Sequence, residues 1–328
     1  MEHRKLGNTT LTLSAITYGA FAIGGSMWGG NEKKDSIDAI HASLDSGIST
    51  IDTAPFYGLG RSEELIGEAI KEKQRDKIQL LTKFGLVWDG SNKGRGEYFF
   101  DAGDNGKSLP VYKLAGKANI IKELEESLKR LGTDYIDLLQ LHWPDSTTAI
   151  EETMDALNIL IEQGKIRAAG VSNYDLARLK EAEQFISLAS DQVSYSMLNR
   201  SIEKDVIPYA LANNLSIIAY SPLERGLLTG KYFREGVLKS EDHRNGYFGQ
   251  FPLNKVEELV KVLQPLAESK NVKLAQLVLR WTTLQPGITV VLAGARNAAQ
   301  AVENAAAMDI KLMPEELDFI NSAISKDF

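Results

Sequence analysis

One recurrence constrains this chain more than any other feature. Eight apolar runs of strand length, at 14–18, 49–53, 78–84, 136–141, 166–171, 191–195, 215–220 and 288–292, alternate with stretches of helical periodicity. Short apolar runs between turn residues read as buried parallel strands. Most successive runs lie roughly 25–35 residues apart, about the length of a βαβ unit. In the helical stretch before Gly132, Ile120, Ile121, Leu124, Leu128 and Leu131 form one apolar stripe, and the glycine is a natural stop. Ser62 followed by Glu63 and Glu64 reads as a capping serine with acids in the first turn. Eight β-then-α repeats point to an α/β chain folded as a (β/α)8 TIM barrel. Periodicity does not separate a closed sheet from a doubly wound open one. Segments 4–6 and 11–13 flank a Gly-Asn turn and read as an N-terminal β-hairpin plugging the barrel bottom. No linker, charged tail or low-complexity tract divides the chain, so residues 1–328 are expected to form a single domain.

Two spacings are too long. The excess lies at 85–116, rich in glycine and carrying Tyr98, Phe99 and Phe100, and at 221–254. Both follow a strand, so both are expected to leave the C-terminal face as long structureless loops that form lids or binding walls.

The net charge of −7 makes the chain a poor counterion for a phosphate backbone, and nucleic acid is not an expected partner. No apolar window is long enough to span a bilayer, and the first residues lead into no signal-like apolar segment. Cysteine is absent, which removes disulfides, thiolate nucleophiles and Cys-ligated zinc and suits a cytoplasmic location. Four histidines, at 3, 41, 142 and 243, form no zinc motif, and no metal site is expected. The glycines at 24–29 do not fit G-x-G-x-x-G, and the stretch from Gly226 to Tyr232 falls short of a P-loop.

Polar residues gather at the C-terminal ends of the runs, where barrel enzymes build their sites. The second run carries Asp52 and leads to Tyr57; the third ends at Lys83 and the fourth at His142. Taken singly, each has an ordinary structural explanation: a turn-forming aspartate, a snorkelling lysine, a hydrogen-bonding histidine, a packed tyrosine. At equivalent heights on neighbouring strands they converge, and together they suit proton transfer to a carbonyl oxygen. A phenol of pKa about 10 is a sluggish acid at neutral pH. A lysine within about 4–6 Å is expected to lower that value, and an aspartate keeps the buried lysine charged. The histidine donates to the oxygen as negative charge develops. None of the four is a hydride source, so an organic redox cofactor is required.

The motifs DTAPFYGLGRSE (52–63), LTK (81–83), LHWP (141–144) and GVSN (170–173), with Gly294, Arg296, Glu303 and Asn304 near the end, resemble those of the aldo-keto reductases along the whole chain. The long third loop and the segment from Ser221 to Lys231 resemble a bacterial branch that includes inositol-related and general-stress reductases. Potassium channel β subunits share much of this pattern. The resemblance implies a barrel that binds an extended nicotinamide cofactor without a Rossmann domain. It implies Asp52, Tyr57, Lys83 and His142 as catalytic tetrad, with Tyr57 as general acid in reduction. It implies cofactor contacts from Gly19, Ala20, Phe21 and Asp52, with Ser172, Asn173 and Gln192 on the carboxamide and Tyr220 stacked on the nicotinamide. Ser221, Leu223, Gly226, Leu227 and Lys231 would follow the pyrophosphate, and Gly294, Arg296, Gln300, Glu303 and Asn304 would hold the adenosine end. Vertebrate-type members carry a Lys-Ser pair where this chain has Gly294 and Ala295, and an arginine at Gln300. Arg296 can replace them on a 2′-phosphate, so NADP(H) is preferred over NAD(H). Phe21, Trp28, Trp88 and Trp143, with Tyr57 and His142, are expected around the substrate, a small carbonyl compound or alcohol. Monomer and homo-oligomer both remain open. The competing function is a nicotinamide-binding regulatory or sensor subunit with little turnover; a carboxylate-pair hydrolase leaves Lys83 and Tyr57 unexplained.

Overall fold

A computed structural model describes residues 1–25, 30–103, 108–235, 244–326 and 328. Eight parallel strands close into a barrel in sequence order: β1 (Ile16–Gly19), β2 (Thr50–Asp52), β3 (Gln79–Phe84), β4 (Ile136–Leu141), β5 (Ile166–Ser172), β6 (Ser190–Ser194), β7 (Ser216–Tyr220) and β8 (Ile288–Gly294). β8 pairs with β1 from Val291 opposite Ile16 to Gly294 opposite Gly19, which removes both sheet edges. The strands are apolar on both faces because both are covered. Outward residues such as Ile51, Leu80 and Leu139 pack on the helical layer, while Leu81, Leu138, Ala168, Ile218 and Val290 fill the barrel. The open alternative is excluded.

The N-terminal hairpin forms, with His3–Lys5 antiparallel to Thr12–Ser14. Its Leu6 and Leu13 are fully buried against the interior residues, so the bottom is stoppered by side chains and any site must open at the top. Helix Lys117–Leu131 buries Ile120, Leu124, Leu128 and Leu131 and ends at Gly132, whose φ of 64° is left-handed. Helix Arg61–Ile70 differs from expectation. It starts after Gly60, and Ser62 does not cap it. The Ser62 hydroxyl instead pairs with that of Thr53 at 2.8 Å and donates to the Ala20 carbonyl at 3.1 Å, tying together the chain just beyond β1 and β2.

The long third loop is not structureless. It forms a small antiparallel sheet in which Pro110–Lys113 pairs with Leu86–Val87 on one side and Glu97–Asp101 on the other. A buried carboxyl roots it: Glu123 accepts from the Gly85 amide at 3.1 and 3.2 Å and from the Asn119 side chain, which also donates to the Leu114 carbonyl at 2.8 Å. Both ends of the insertion are thus fastened to one helix. The segment after β7 likewise holds structure, with a helical turn at Glu224–Thr229 and short helices Lys231–Glu235 and Arg244–Phe248.

Burial lifts the Glu123 carboxyl to about 8 against the opposing pull of Gly85 and Asn119. A carboxyl raised in the fold contributes stability that is full below its unfolded value near 4.5 and is lost as pH rises toward 8. Glu123→Gln is therefore expected to remove that loss. Urea midpoints of variant and wild type should diverge from about pH 5 to pH 8 in the variant's favour, and parallel curves would contradict the assignment.

Candidate active site

The four polar strand-end residues meet. Lys83 is buried at the end of β3, and its Nζ donates to Asp52 Oδ1 at 2.7 Å and to the Thr53 carbonyl at 2.9 Å. The same Nζ lies 5.0 Å from the centre of the Tyr57 ring. The Tyr57 and His142 rings stand edge to face, 5.7 Å apart. β2, β3 and β4 are adjacent in the barrel; Asp52 lies opposite Leu81 and Lys83 opposite Gln140, so Asp52, Lys83 and His142 come from the ends of neighbouring strands at successive two-residue steps. Tyr57 arrives from the loop after β2, and glycine fixes that loop. A Cβ on Gly58 would stand 2.1 Å from the Gly24 carbonyl oxygen, and one on Gly24 would stand 2.7 Å from the Tyr57 backbone.

The electrostatics differ in one respect from expectation. Enclosure at the cavity floor raises the Tyr57 phenol, and the nearby Asp52 adds to the rise; the Lys83 ammonium opposes both without reversing them. Burial also works against the Lys83 ammonium, but Asp52 and Tyr57 outweigh it and hold the group above the ordinary lysine value. Burial and Lys83 together push His142 well below the usual imidazole range, so it is neutral at pH 7. The cluster therefore presents a protonated phenol and a neutral imidazole beside a fixed ammonium.

Asp52 has further partners. Gln192 donates to its Oδ2 at 2.8 Å and Gln140 at 3.4 Å, both from inside the barrel. Gln140 escaped the sequence reading because a glutamine amid IDLLQL gives no motif; only inward alternation with Leu138 marks it. Gly170 makes room for it, since a Cβ there would meet Gln140 Cγ at 3.2 Å and Ser190 Oγ at 2.5 Å.

Above the cluster opens a cavity of about 1200 Å³. It is lined by Gly19, Phe21, Asp52, Tyr57, His142, Trp143, Ser172, Asn173, Gln192, Tyr220, Ser221, Leu223, Gly226, Lys231, Gly294, Arg296, Gln300, Glu303 and Asn304. Lys83 lies beneath this lining. The side chains of Ala20 and Leu227 are fully buried in the core rather than on the wall. Trp88 stands behind Phe56, edge to face at 5.6 Å, and Trp28 lies outside the described residues. The walls also include Phe56 and Leu86, which sequence periodicity did not single out, and Phe99 and Phe100 of the long third loop.

Local hydrogen bonds preset the lining. The Tyr220 hydroxyl donates to Asn173 Oδ1 at 2.8 Å, Asn173 Nδ2 donates to the His142 carbonyl at 3.2 Å, and the Ser172 hydroxyl donates to the Gln192 carbonyl at 2.7 Å. Ser172 and Asn173 do not cap the following helix; Asp175 does. At the far end the Asn304 amide donates to the Gly294 carbonyl at 3.0 Å, and Gln300 accepts from the Arg296 backbone at 2.8 Å.

Residues 15–325 match the aldo/keto reductase family. The chain belongs to that family. It is 40% identical over 305 residues to aldo-keto reductase YhdN of Bacillus subtilis, covering 92% of this chain and 86% of that protein. Over 317 residues it is 36% identical to the NADH-specific methylglyoxal reductase of Escherichia coli, covering 95% of each. Among solved structures, the glycerol dehydrogenase AKR11B4 from Gluconobacter oxydans superposes with a TM-score of 0.87 at 35% identity, covering 99% of this chain and 95% of that one. This aldo-keto reductase is accordingly an oxidoreductase of small carbonyl compounds or alcohols. Among the described residues no helix is long and apolar enough to cross a membrane.

Gly58→Ala tests the glycine contact. Its φ of 66° and the clash with Gly24 should cost about 1–3 kcal/mol of stability and shift Tyr57. A variant with wild-type urea midpoint and turnover would show that the loop tolerates a Cβ.

Proposed function

We propose that this aldo-keto reductase is NADP(H)-dependent and interconverts an aldehyde, ketone or sugar carbonyl with its alcohol, with Tyr57 as general acid and base. The carrying observation is the Tyr57 phenol held between the Lys83 ammonium and the His142 ring on the floor of the large cavity. A bound nicotinamide dinucleotide would supply the hydride that no side chain here carries. Tyr220, Ser172, Asn173 and Gln192 would hold its nicotinamide end, Ser221 to Lys231 its pyrophosphate, and Arg296, Gln300 and Asn304 its adenosine end.

The donor set fits such a group. Arg225, Lys231, Arg234, Arg244, Lys273 and Arg296 line the cavity, against Glu303 and the already paired Asp52. The Arg296 guanidinium donates to the Gly30 carbonyl, while its buried Nε has no hydrogen-bond partner among the described residues. An excess of cations with one orphaned donor supports an anionic ligand, and a 2′-phosphate adds the charge that distinguishes NADP(H) from NAD(H).

The chain's own residues then divide the proton chemistry. Neutral His142 donates a hydrogen bond to the substrate oxygen as charge develops there. Tyr57, protonated at neutral pH because enclosure raises it, passes its proton to that oxygen. Lys83 stabilises the resulting phenolate, and Asp52 with its two glutamines keeps Lys83 in place and charged. Oxidation of an alcohol follows the same path backwards.

Two measurements test this reading. Tyr57→Phe should lower kcat by about 10²–10⁴ on any reducible carbonyl while cofactor still binds; turnover within threefold of wild type would refute the role. Arg296→Ala should cut the ratio of kcat/KM for NADPH over NADH by about tenfold or more, and an unchanged ratio would remove Arg296 from phosphate recognition. The E. coli relative named as NADH-specific makes this ratio the deciding quantity.

A further inference from the structure

The small sheet of the third loop carries an irregularity aimed at the site. Tyr98 pairs with Tyr112, but the next matched pair is Phe100 with Val111, so Phe99 is an extra residue on its strand. A regular strand sends successive side chains to opposite faces. Without the extra residue only one of Phe99 and Phe100 would face the cavity. The bulge places both on its wall, while Tyr98 is 57% exposed and lies edge-on to Tyr112.

The two rings close a gap between the catalytic groups. Phe100 stands edge to face against Phe56 at 5.7 Å, and Phe56 directly precedes Tyr57. Phe99 packs on Trp143 at 5.2 Å, and Trp143 directly follows His142. Phe99 and Phe100 are themselves 5.0 Å apart at 75°. A continuous aromatic wall therefore runs from the shoulder of the phenol to the shoulder of the imidazole.

The wall is fixed in position. Glu97, at the start of the same strand, accepts from the Ser146 hydroxyl at 2.6 Å on the loop after β4 and pairs with Lys113 at 2.5 Å. The Lys113 ammonium lies 5.2 Å from the centre of the Phe99 ring. Lys113 and Ser146 hold the Glu97 carboxyl down at about 2, so the tether persists throughout the neutral range.

We propose that the bulge at Phe99 builds an aryl-binding subsite beside the reacting carbonyl. Phe99 and Phe100 are then the residues that select carbonyl compounds bearing a flat apolar substituent over short polyhydroxy ones. The proposal rests on the carbonyl-reductase reading above. A flat ring adjoining the carbonyl meets ring faces and edges across this wall, whereas a three-carbon hydroxyaldehyde forfeits those contacts.

The test compares 4-nitrobenzaldehyde with glyceraldehyde as substrates of the full-length enzyme with NADPH. Deleting Phe99 removes the extra residue and leaves Phe100 opposite Val111 in a regular ladder. The ratio of kcat/KM, aryl over hydroxyaldehyde, should fall roughly tenfold to a hundredfold, mainly through KM for the aryl substrate. Phe99→Ala should lower the ratio in the same direction and carries the test if the deletion does not fold. Tyr98→Ala, on the other face of the same strand, should leave the ratio within twofold. An unchanged ratio in the Phe99 variants, or an equal fall in Tyr98→Ala, overturns the subsite while leaving the carbonyl-reductase reading intact. If cofactor binds but the wild type reduces neither aldehyde nor any other carbonyl, that reading falls and the subsite with it.

Discussion

The ion pair between Lys83 and Asp52 is the constraint around which the top of this barrel is arranged. Neither side chain has appreciable contact with solvent, and burial of each ion costs several kcal/mol that only close, well-aligned partners offset. The structure supplies them: the Thr53 carbonyl for Lys83 besides Asp52 itself, and two glutamine amides for Asp52. A pair of apolar residues would be no less stable in such a place. The charges act on Tyr57 in opposite directions: Lys83 pulls the phenol down, while enclosure and Asp52 hold it raised.

Much of the surrounding fold serves to keep that pair in register. The hairpin leucines fill the bottom, so the interior is open only above the ion pair. Ser62 ties the ends of β1 and β2, and the packing of Gly24 on Gly58 sets the height of Tyr57. Glu123 and Asn119 anchor the roots of the inserted sheet, and Glu97 fastens its far strand to the loop carrying Trp143. Rigid placement of this kind is what proton transfer at a defined oxygen requires.

The barrel and the meeting of Asp52, Tyr57, Lys83 and His142 were legible because both rest on simple rules. Buried parallel strands are apolar throughout, and polar residues at their C-terminal ends have few structural uses in such numbers. Ile136–Leu141 is found where the periodicity puts it, and other strand boundaries shift by a few residues at most. The failures were also physical. Ser62 looked like a cap because capping is read locally, whereas its partners lie on two other segments. The third loop looked structureless because its glycines signal turns but not the pairing between them. The Tyr57 phenol was expected to fall through Lys83, but enclosure is a property of the whole site and outweighs one neighbouring charge.

By itself the sequence determined the alternation of strands and helices, the chemical identity of the four clustered polar side chains and their place at the ends of adjacent strands or just beyond. These follow from period and from chain order, which are local. Tertiary structure alone decided that Gln140 and Gln192 share the carboxylate, that Phe99 and Phe100 face the same way, and that the phenol stays protonated. Each depends on what lies across the barrel or across a bulged ladder, and such neighbours are distant in the chain and leave no periodic trace in it.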